Sequence, residues 1–174
     1  MRLEVIDIIR DVVNDIPSVC SADIQNINFI FGSARYVKDR LDLYAQSVHT
    51  TDCKFPLIAL FTPVDEVRGT KEHYSEANIS LVIACSSSKE YSNEERETES
   101  FVNVLRPIYR AMMNLLYQDG RLDTGYTPIK HNYSENYDYG RYGAYTADGE
   151  EVSEPIDAIN IRSLELNINY PNCR

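Results

Sequence analysis

The sequence lacks any apolar run near the roughly 18 residues that a membrane-spanning helix needs. Its longest apolar stretches are residues 55–61 and 81–85. The first residues also lack the long apolar core and the small-residue cleavage site of a secretory signal peptide. We therefore expect a soluble protein, and 174 residues suit a single domain that folds without a disulfide or a metal.

Basic residues are also scarce. The chain has 17 Lys and Arg residues against 27 Asp and Glu residues, which gives a net charge of −10. Proteins that wrap nucleic acid gain most of their affinity from Lys and Arg on phosphates, so this composition argues against such a function. The acids are concentrated in residues 87–100, with five acids and two bases, and in residues 134–157, with seven acids and one base. Such segments are typical of solvated faces, or they form a surface that repels phosphate.

Patterns typical of catalytic or metal sites are missing. The sequence has no glycine-rich phosphate-binding loop and no Gly-x-Ser-x-Gly nucleophile motif. It has no Cys-x-x-Cys pair, and its histidines lack the spacing of zinc ligands. We therefore predict no metal, no cofactor, no disulfide framework and no enzymatic activity. The residues concerned are Cys20, Cys53, Cys85, Cys173, His49, His73 and His131.

Two helices are indicated by apolar residues at spacings of three and four. The first covers residues 3–16, and Pro17 is expected to end it. Residues 36–45 indicate a second, shorter helix.

The longest apolar stripe runs from Phe101 to Leu116 and predicts a third helix. A capping-box spacing of Ser92 and Glu95 precedes it. Pro107 interrupts the stripe, which predicts either a kink or a new start with Pro107 in the first turn.

Alternating or continuous apolar residues predict strands in the first half of the chain. A short strand covers residues 26–31, and a buried strand covers residues 54–62 and ends at Pro63. The charged residues 64–73 are interpreted as a hairpin loop, and residues 74–85 as the returning strand.

A last strand is expected between residues 155 and 170, but its apolar residues change parity part-way. Ile159 and Ile161 have one parity, and Leu164 and Leu166 have the other. A flat strand cannot turn both sets toward one core, so we predict a β-bulge near residues 162–163.

The chain is expected to form one α+β domain over residues 1–174. Its predicted architecture is an antiparallel or mixed sheet of about four to six strands with two or three helices packed on it. Residues 126–145 contain six of the thirteen tyrosines, together with several glycines. This segment predicts a long loop or a hairpin at about residues 126–155, and its tyrosines either anchor the loop or contact a partner.

Several short segments between residues 54 and 168 occur in a characteristic order and spacing. They are Phe55-Pro56-Leu57-Ile58-Ala59-Leu60, Glu66-Val67-Arg68-Gly69, Tyr74-Ser75-Glu76-Ala77-Asn78-Ile79, Glu94-Glu95-Arg96-Glu97, Leu105-Arg106-Pro107-Ile108-Tyr109 and Asp157-Ala158-Ile159-Asn160-Ile161. In this order the chain resembles a type of small protein encoded in the tail modules of tailed bacteriophages, the tail-terminator or tail-completion subunits.

The resemblance implies a virion structural protein that is assembled in the bacterial host cytoplasm. Such a protein forms a homo-oligomeric ring, for example a hexamer or a dodecamer, where the tail meets the head. It contacts other tail or neck proteins, lets DNA pass without sequence preference, has no membrane partner and has no catalytic residue.

Physical requirements of a ring select the candidate site residues. A ring that lets DNA through needs a lumen that does not hold phosphate, and a cyclic ring needs two complementary patches on each subunit. The candidates for the lumen are Glu94, Glu95, Glu97, Glu150 and Glu151. The candidates for the subunit interface, taken from the charged hairpin and the tyrosine segment, are Asp65, Glu66, Arg68, Lys71, Tyr137, Tyr139 and Tyr142.

Two other functions stay open at this point. One is a different phage assembly protein, such as a head-completion or adaptor protein, which ring size and binding partner would distinguish. The other is a small hydrolase or nucleotide-binding enzyme that uses Asp65, Glu66 or His131. Specific stabilisation by a divalent metal or a nucleotide would favour the enzyme.

Overall fold

The computed structural model describes residues 4–45, 54–69, 74–125, 127–145 and 151–169. Within these ranges the chain forms one five-stranded sheet and three helices, the third of which consists of three consecutive segments. This arrangement confirms the predicted α+β class. In chain order the elements are α1 (Val5–Val19), β1 (Asn28–Gly32), α2 (Ala34–Ala45), β2 (Leu57–Arg68), β3 (Tyr74–Ser86), α3 (Asn93–Arg96), a π-helical segment (Glu97–Leu105), α4 (Arg106–Gln118), β4 (Asn132–Tyr145) and β5 (Glu151–Asn169).

The sheet has the order β1-β2-β3-β5-β4. β1 is parallel to β2, and the other neighbouring strands are antiparallel, so the sheet is mixed. The larger core lies between one face of the sheet and the helices α1 and α4, and it includes Ile8, Ile83 and Met112. α2 covers a smaller cluster on the opposite face around Leu41.

The first helix continues beyond the proline that was expected to end it. Pro17 lies inside α1, which ends at Val19. A proline removes one N–H donor and crowds the carbonyl four residues earlier. Because Pro17 is in the last turn, few helical hydrogen bonds remain to be lost after it, and the amide of Cys20 still donates to the Ile16 carbonyl at 2.9 Å.

α3, the π-helical segment and α4 run on as one long helix, because the residues at both junctions keep right-handed helical backbone angles. The expected capping box of Ser92 and Glu95 is present at its start. Pro107 lies in the first turn of α4, as one of the two expected arrangements has it, but the helical backbone continues into α4 from the preceding segment without a break. The π turns before it bond five residues apart, as the Arg106 amide does to the Phe101 carbonyl, so the chain directly before Pro107 lacks the regular four-residue ladder that a proline interrupts.

β2 is longer than the sequence predicted. It runs through Pro63 to Arg68, so the prediction that the strand ends at Pro63 and gives way to a loop is wrong. The pairing with β3 shifts register between Phe61 and Asp65, which leaves the proline outside the ladder. A bulge tolerates the missing N–H of a proline, and the strand then resumes.

The predicted bulge in β5 is confirmed. Ile79 pairs with Leu164 and Leu81 pairs with Ile161, so two residues of β5 lie opposite one residue of β3. Ser163, one of the two, has a φ of 52°. The bulge turns the apolar residues before and after it toward the same core.

The tyrosine-rich segment forms a hairpin arm and not an irregular loop. β4 pairs antiparallel with β5. The pairing begins where Asn132 lies opposite Arg162 and ends where Tyr145 lies opposite Glu151. β3 accompanies β5 only as far as Ile156. The outer part of the hairpin is therefore a two-stranded ribbon that extends beyond the main sheet.

We predict that Ser163→Gly leaves the free energy of unfolding unchanged or raises it by up to about 1 kcal/mol, because glycine adopts a positive φ without the steric cost of a side chain. The matched control is Glu165→Gly, also exposed in β5. There the backbone is an ordinary strand, and glycine should lower stability by about 0.5–1 kcal/mol. Urea unfolding measures both variants, and equal destabilisation at the two positions would contradict the bulge.

Candidate assembly surface

β4 is an edge strand that presents tyrosines to solvent. β5 lies on one side of it, and among the described residues no strand pairs with its other side. Tyr133, Tyr137 and Tyr139 are 42%, 37% and 45% exposed. We call these three residues the tyrosine edge. Tyrosine is enriched in protein interfaces because it combines a large apolar ring with a polar hydroxyl.

The start of the tyrosine edge is held against α4 by a hydrogen-bonded pair. The His131 Nδ1 atom lies 2.9 Å from the Ile129 carbonyl oxygen, which can only accept. In the neutral ring Nε2 is then the acceptor, and the Tyr109 hydroxyl, 2.8 Å away, donates to it. Burial raises the pKa of Tyr109. The rings of Tyr109 and Tyr133 are 4.8 Å apart, so Tyr133 is placed by α4.

An ion pair between α4 and β4 lies beneath the same surface. Arg106 donates from Nε to Glu135 Oε1 at 2.7 Å and from Nη2 to Oε2 at 2.9 Å. These hydrogen bonds lower the pKa of the Glu135 carboxyl, more than its partial burial raises it. Arg106 also reaches Glu97 at 3.4 Å. A bidentate pair of this kind fixes the strand relative to the helix, and Arg106 balances the charge of Glu135.

The middle of the tyrosine edge depends on a buried carboxylate. Asp157 of β5 has no exposed surface. Its Oδ1 accepts from Arg96 at 3.0 Å and from the backbone amide of Asp138 at 2.9 Å, and its Oδ2 accepts from the Ser100 hydroxyl at 2.7 Å. Burial alone would raise the pKa of Asp157, but these hydrogen bonds and the charge of Arg96 bring it below its ordinary value. The carboxylate thus joins the long helix, β5 and β4.

The hydrogen bond from the Asp138 backbone amide to Asp157 lies within a bulge of β4. Asn136 pairs with Ala158 and Gly140 pairs with Ile156, so residues 137–139 lie opposite Asp157 alone. Asp138 has a φ of 56°, which a strand residue does not normally adopt. The bulge brings the Tyr137 ring to 4.4 Å from the ring of buried Phe101. Asp157 therefore positions Tyr137 through the bulge.

Cys85 lies beside this cluster and is not poised as a nucleophile. Burial raises the pKa of the thiol to about 12, which a hydrogen bond with Ser100 opposes only in part. A nucleophilic cysteine needs a lowered pKa and access to solvent. Cys85 acts as a small buried apolar side chain.

The predicted interface residues fall in two separate regions. Asp65, Glu66 and Arg68 lie in β2 and not in a hairpin loop. Arg68 pairs with Glu66 at 2.8 Å and with Glu4 at 2.9 Å, so it ties β2 to the start of α1.

The other predicted interface residues belong to the tyrosine segment, with one exception. Tyr137 and Tyr139 lie in the β4 bulge, and Tyr142 lies in the outer part of β4, where its backbone pairs with Glu154. Lys71 lies outside the described residues.

The predicted lumen acids are likewise divided. Glu94, Glu95 and Glu97 are exposed in the first turns of the long helix. Glu95 is engaged in the capping box, and Glu97 faces Arg106. Glu151 begins β5, and Glu150 lies outside the described residues.

The three residues that a hydrolase or nucleotide-binding enzyme was expected to use do not lie close together. Asp65 and Glu66 are in β2, and His131 immediately precedes β4; β3 and β5 separate those two strands. Three strand spacings amount to about 14 Å, too far for one catalytic group. In the part of the chain that the structure describes, no three His, Cys, Asp or Glu side chains are placed to hold a metal ion.

Sequence reasoning missed the residues that organise the surface. It treated Arg96 as part of an acidic segment and did not assign roles to Ser100, Arg106 or Glu135. Asp157 gave a usable signal, since it directly precedes Ala158 and the apolar residues Ile159 and Ile161 of the predicted last strand. A carboxylate next to a buried strand needs a partner, but a partner 61 residues away is set by tertiary structure.

Comparison with protein-family models finds no match, and comparison with curated proteins finds none either. No helix in the described ranges is long and apolar enough to cross a membrane.

We predict that Asp157→Asn lowers the free energy of unfolding by about 3–5 kcal/mol at neutral pH, because it leaves Arg96 buried without a counter-charge. Urea unfolding measures this loss. The control Asp39→Asn removes an exposed carboxylate and should change stability by less than about 0.5 kcal/mol.

The effect of Asp157→Asn should depend on pH with a defined sign. The folded-state pKa of Asp157 is lowered, so its contribution is complete above the unfolded pKa of about 3.9 and is lost as pH falls through the folded value. The stability difference between the wild type and the variant should therefore shrink only in strongly acidic solution. A difference that is constant down to pH 2 would contradict the ion pair.

Proposed function

We propose that this protein is a non-enzymatic structural subunit that forms a ring at the tail or neck of a tailed bacteriophage, as a tail terminator or head-tail joining protein. The observation that carries the proposal is the tyrosine edge, an exposed aromatic surface on an edge strand that has a strand partner on one side only among the described residues. The nearby charge of Glu135 is paired with Arg106 within the subunit. Such a surface suits contact with another protein. The order of the segments that resemble tail-terminator subunits supplies the phage context.

The charge distribution supports the passage of DNA through such a ring. Glu94, Glu95 and Glu97 are exposed at the start of the long helix, and the chain carries ten excess negative charges. A lumen lined by such acids repels phosphate, so DNA moves through without being held. The virion is the proposed location, with other tail or neck proteins as partners.

Light-scattering mass after size exclusion, with negative-stain imaging of the same fractions, tests the ring. The expected result is a closed ring of uniform subunit number that grows in abundance with protein concentration and binds the end of purified phage tail tubes. A protein that stays monomeric and does not bind tail tubes would contradict the proposal. Stabilisation by a nucleotide or a divalent metal would favour the enzyme alternative.

A charge reversal tests the lumen. We expect the wild-type ring to leave linear DNA free, whereas a ring with Glu94→Lys, Glu95→Lys and Glu97→Lys retains DNA in a salt-dependent manner. The matched control makes the same charge change on α1 and α2, with Asp15→Lys, Asp39→Lys and Asp42→Lys. Electrophoretic mobility of DNA measures both. Equal retention by the two triple variants would show that net charge, and not a lumen, is responsible.

A further inference from the structure

The two outer strands of the sheet, β1 and β4, both leave one side without a strand partner in the described part of the chain. An exposed strand edge is a template for pairing with another chain, and proteins that must stay monomeric usually block it. The bulge at residues 137–139 blocks only the middle of β4. The preceding stretch Asn132–Asn136 is regular and five residues long, and β1 (Asn28–Gly32) has the same length.

The strand directions allow these two edges to pair in a continuous sheet. β1 and β2 run in one direction, β3 runs opposite, β5 runs with β2, and β4 runs opposite again. When a second copy extends the sheet with the same face turned to the helices, its β1 lies antiparallel to β4 of the first copy. Antiparallel pairing is slightly more stable per residue than parallel pairing.

Exposed aromatic rings lie on the same face of the sheet at both edges. Phe29 packs against the larger core, and Phe31 is 42% exposed beside it, with their ring centroids 6.4 Å apart. At the other edge Tyr133 packs on Tyr109 of α4. Tyr109 also contacts the larger core, so Tyr133 and Phe29 lie on the same face of the sheet. In a continuous sheet these rings become cross-strand neighbours, and aromatic pairs across strands stabilise a sheet.

The two stretches that would meet, residues 28–32 and 132–136, carry no unpaired charge, and the exposed carboxylate of Asp138 lies in the bulge just beyond them. Arg10 lies over the rings of Phe29 and Phe31, within 5.7–6.0 Å, and is paired with Asp7. Glu135 is paired with Arg106. In a chain with a net charge of −10, two neutral aromatic strips are where identical copies approach each other with least repulsion.

We propose that β4 of one copy pairs antiparallel with β1 of a second copy, through residues 132–136 and 28–32, and that this contact repeats head to tail. The occupant of each edge is thus the opposite edge of the same protein. The contact is heterologous, as a cyclic ring requires. The inference rests on the proposed function for ring closure, but the pairing itself does not depend on the phage context.

Two variants, each damaging one edge, test the pairing. Phe31→Asp places a carboxylate beside Arg10 of its own chain and against Glu135 of the next copy. Tyr133→Asp places a carboxylate beside Glu135 of its own chain and against the Phe31 ring of the next copy. In a mixture the two damaged edges then carry like charges and repel each other. Circular dichroism and thermal unfolding check that both variants fold. Val102→Lys is the control, because Val102 is 48% exposed on the long helix and lies on neither edge.

The expected result is that the wild type and Val102→Lys associate with rising concentration, whereas each edge variant alone stays at 20.0 kDa. A mixture of the two edge variants retains one intact β4 edge and one intact β1 edge. It should therefore form a complex of twice that mass and nothing larger, measured by light scattering.

Other outcomes overturn the pairing in distinguishable ways. Wild-type rings that persist in Phe31→Asp would overturn the edge pairing and leave the ring proposal standing. Edge-dependent open filaments would support the pairing and overturn the closed ring. A wild type that stays at 20.0 kDa at every concentration would overturn the pairing, and tail-tube binding would then test the proposed function separately.

Discussion

A completely buried carboxylate is stable only when hydrogen-bond donors surround it, and Asp157 of β5 meets this requirement with groups from two other parts of the chain. Arg96 and Ser100 come from the long helix, and the amide of Asp138 comes from β4. The long helix, the last two strands and the tyrosine edge are therefore linked at one point. The positive φ of Asp138 and the packing of Tyr137 on Phe101 both follow from this constraint.

The surface charge and the two edges of the sheet together limit where this protein can contact another molecule. The excess acids keep copies apart over most of the surface, while the strips around Phe31 and Tyr133 carry charges that are already paired. The β4 bulge further limits regular pairing to short stretches of backbone. In the proposed assembly, such a surface would favour weak, oriented self-association, and the closure of a ring would add the contacts of all its subunits.

Periodicity predicted the elements that depend on local pattern. The α1, α2 and long-helix stripes, the β3 alternation and the β5 bulge at residues 162–163 follow from which side chains must share one face. The errors occurred at prolines. Pro17 lies inside α1 and Pro63 inside β2. Near the end of a helix a proline removes only one hydrogen bond, and at a bulge its missing N–H is not needed by the ladder. Whether a proline occupies such a position depends on the neighbouring strand or helix, which a local pattern does not contain.

The sequence by itself determined the α+β class, the long apolar helix stripe that Pro107 interrupts, the acidic character and the hairpin or loop at residues 126–155. These properties depend on composition and on side chains close together in the chain. Only the tertiary structure decided that the hairpin forms the sheet edge, that Arg96 and Asp157 meet across 61 residues, and that Phe31 and Tyr133 lie on the same face at opposite edges. Strand order and buried ion pairs are contacts between distant residues, and their energy depends on the packing of the whole domain.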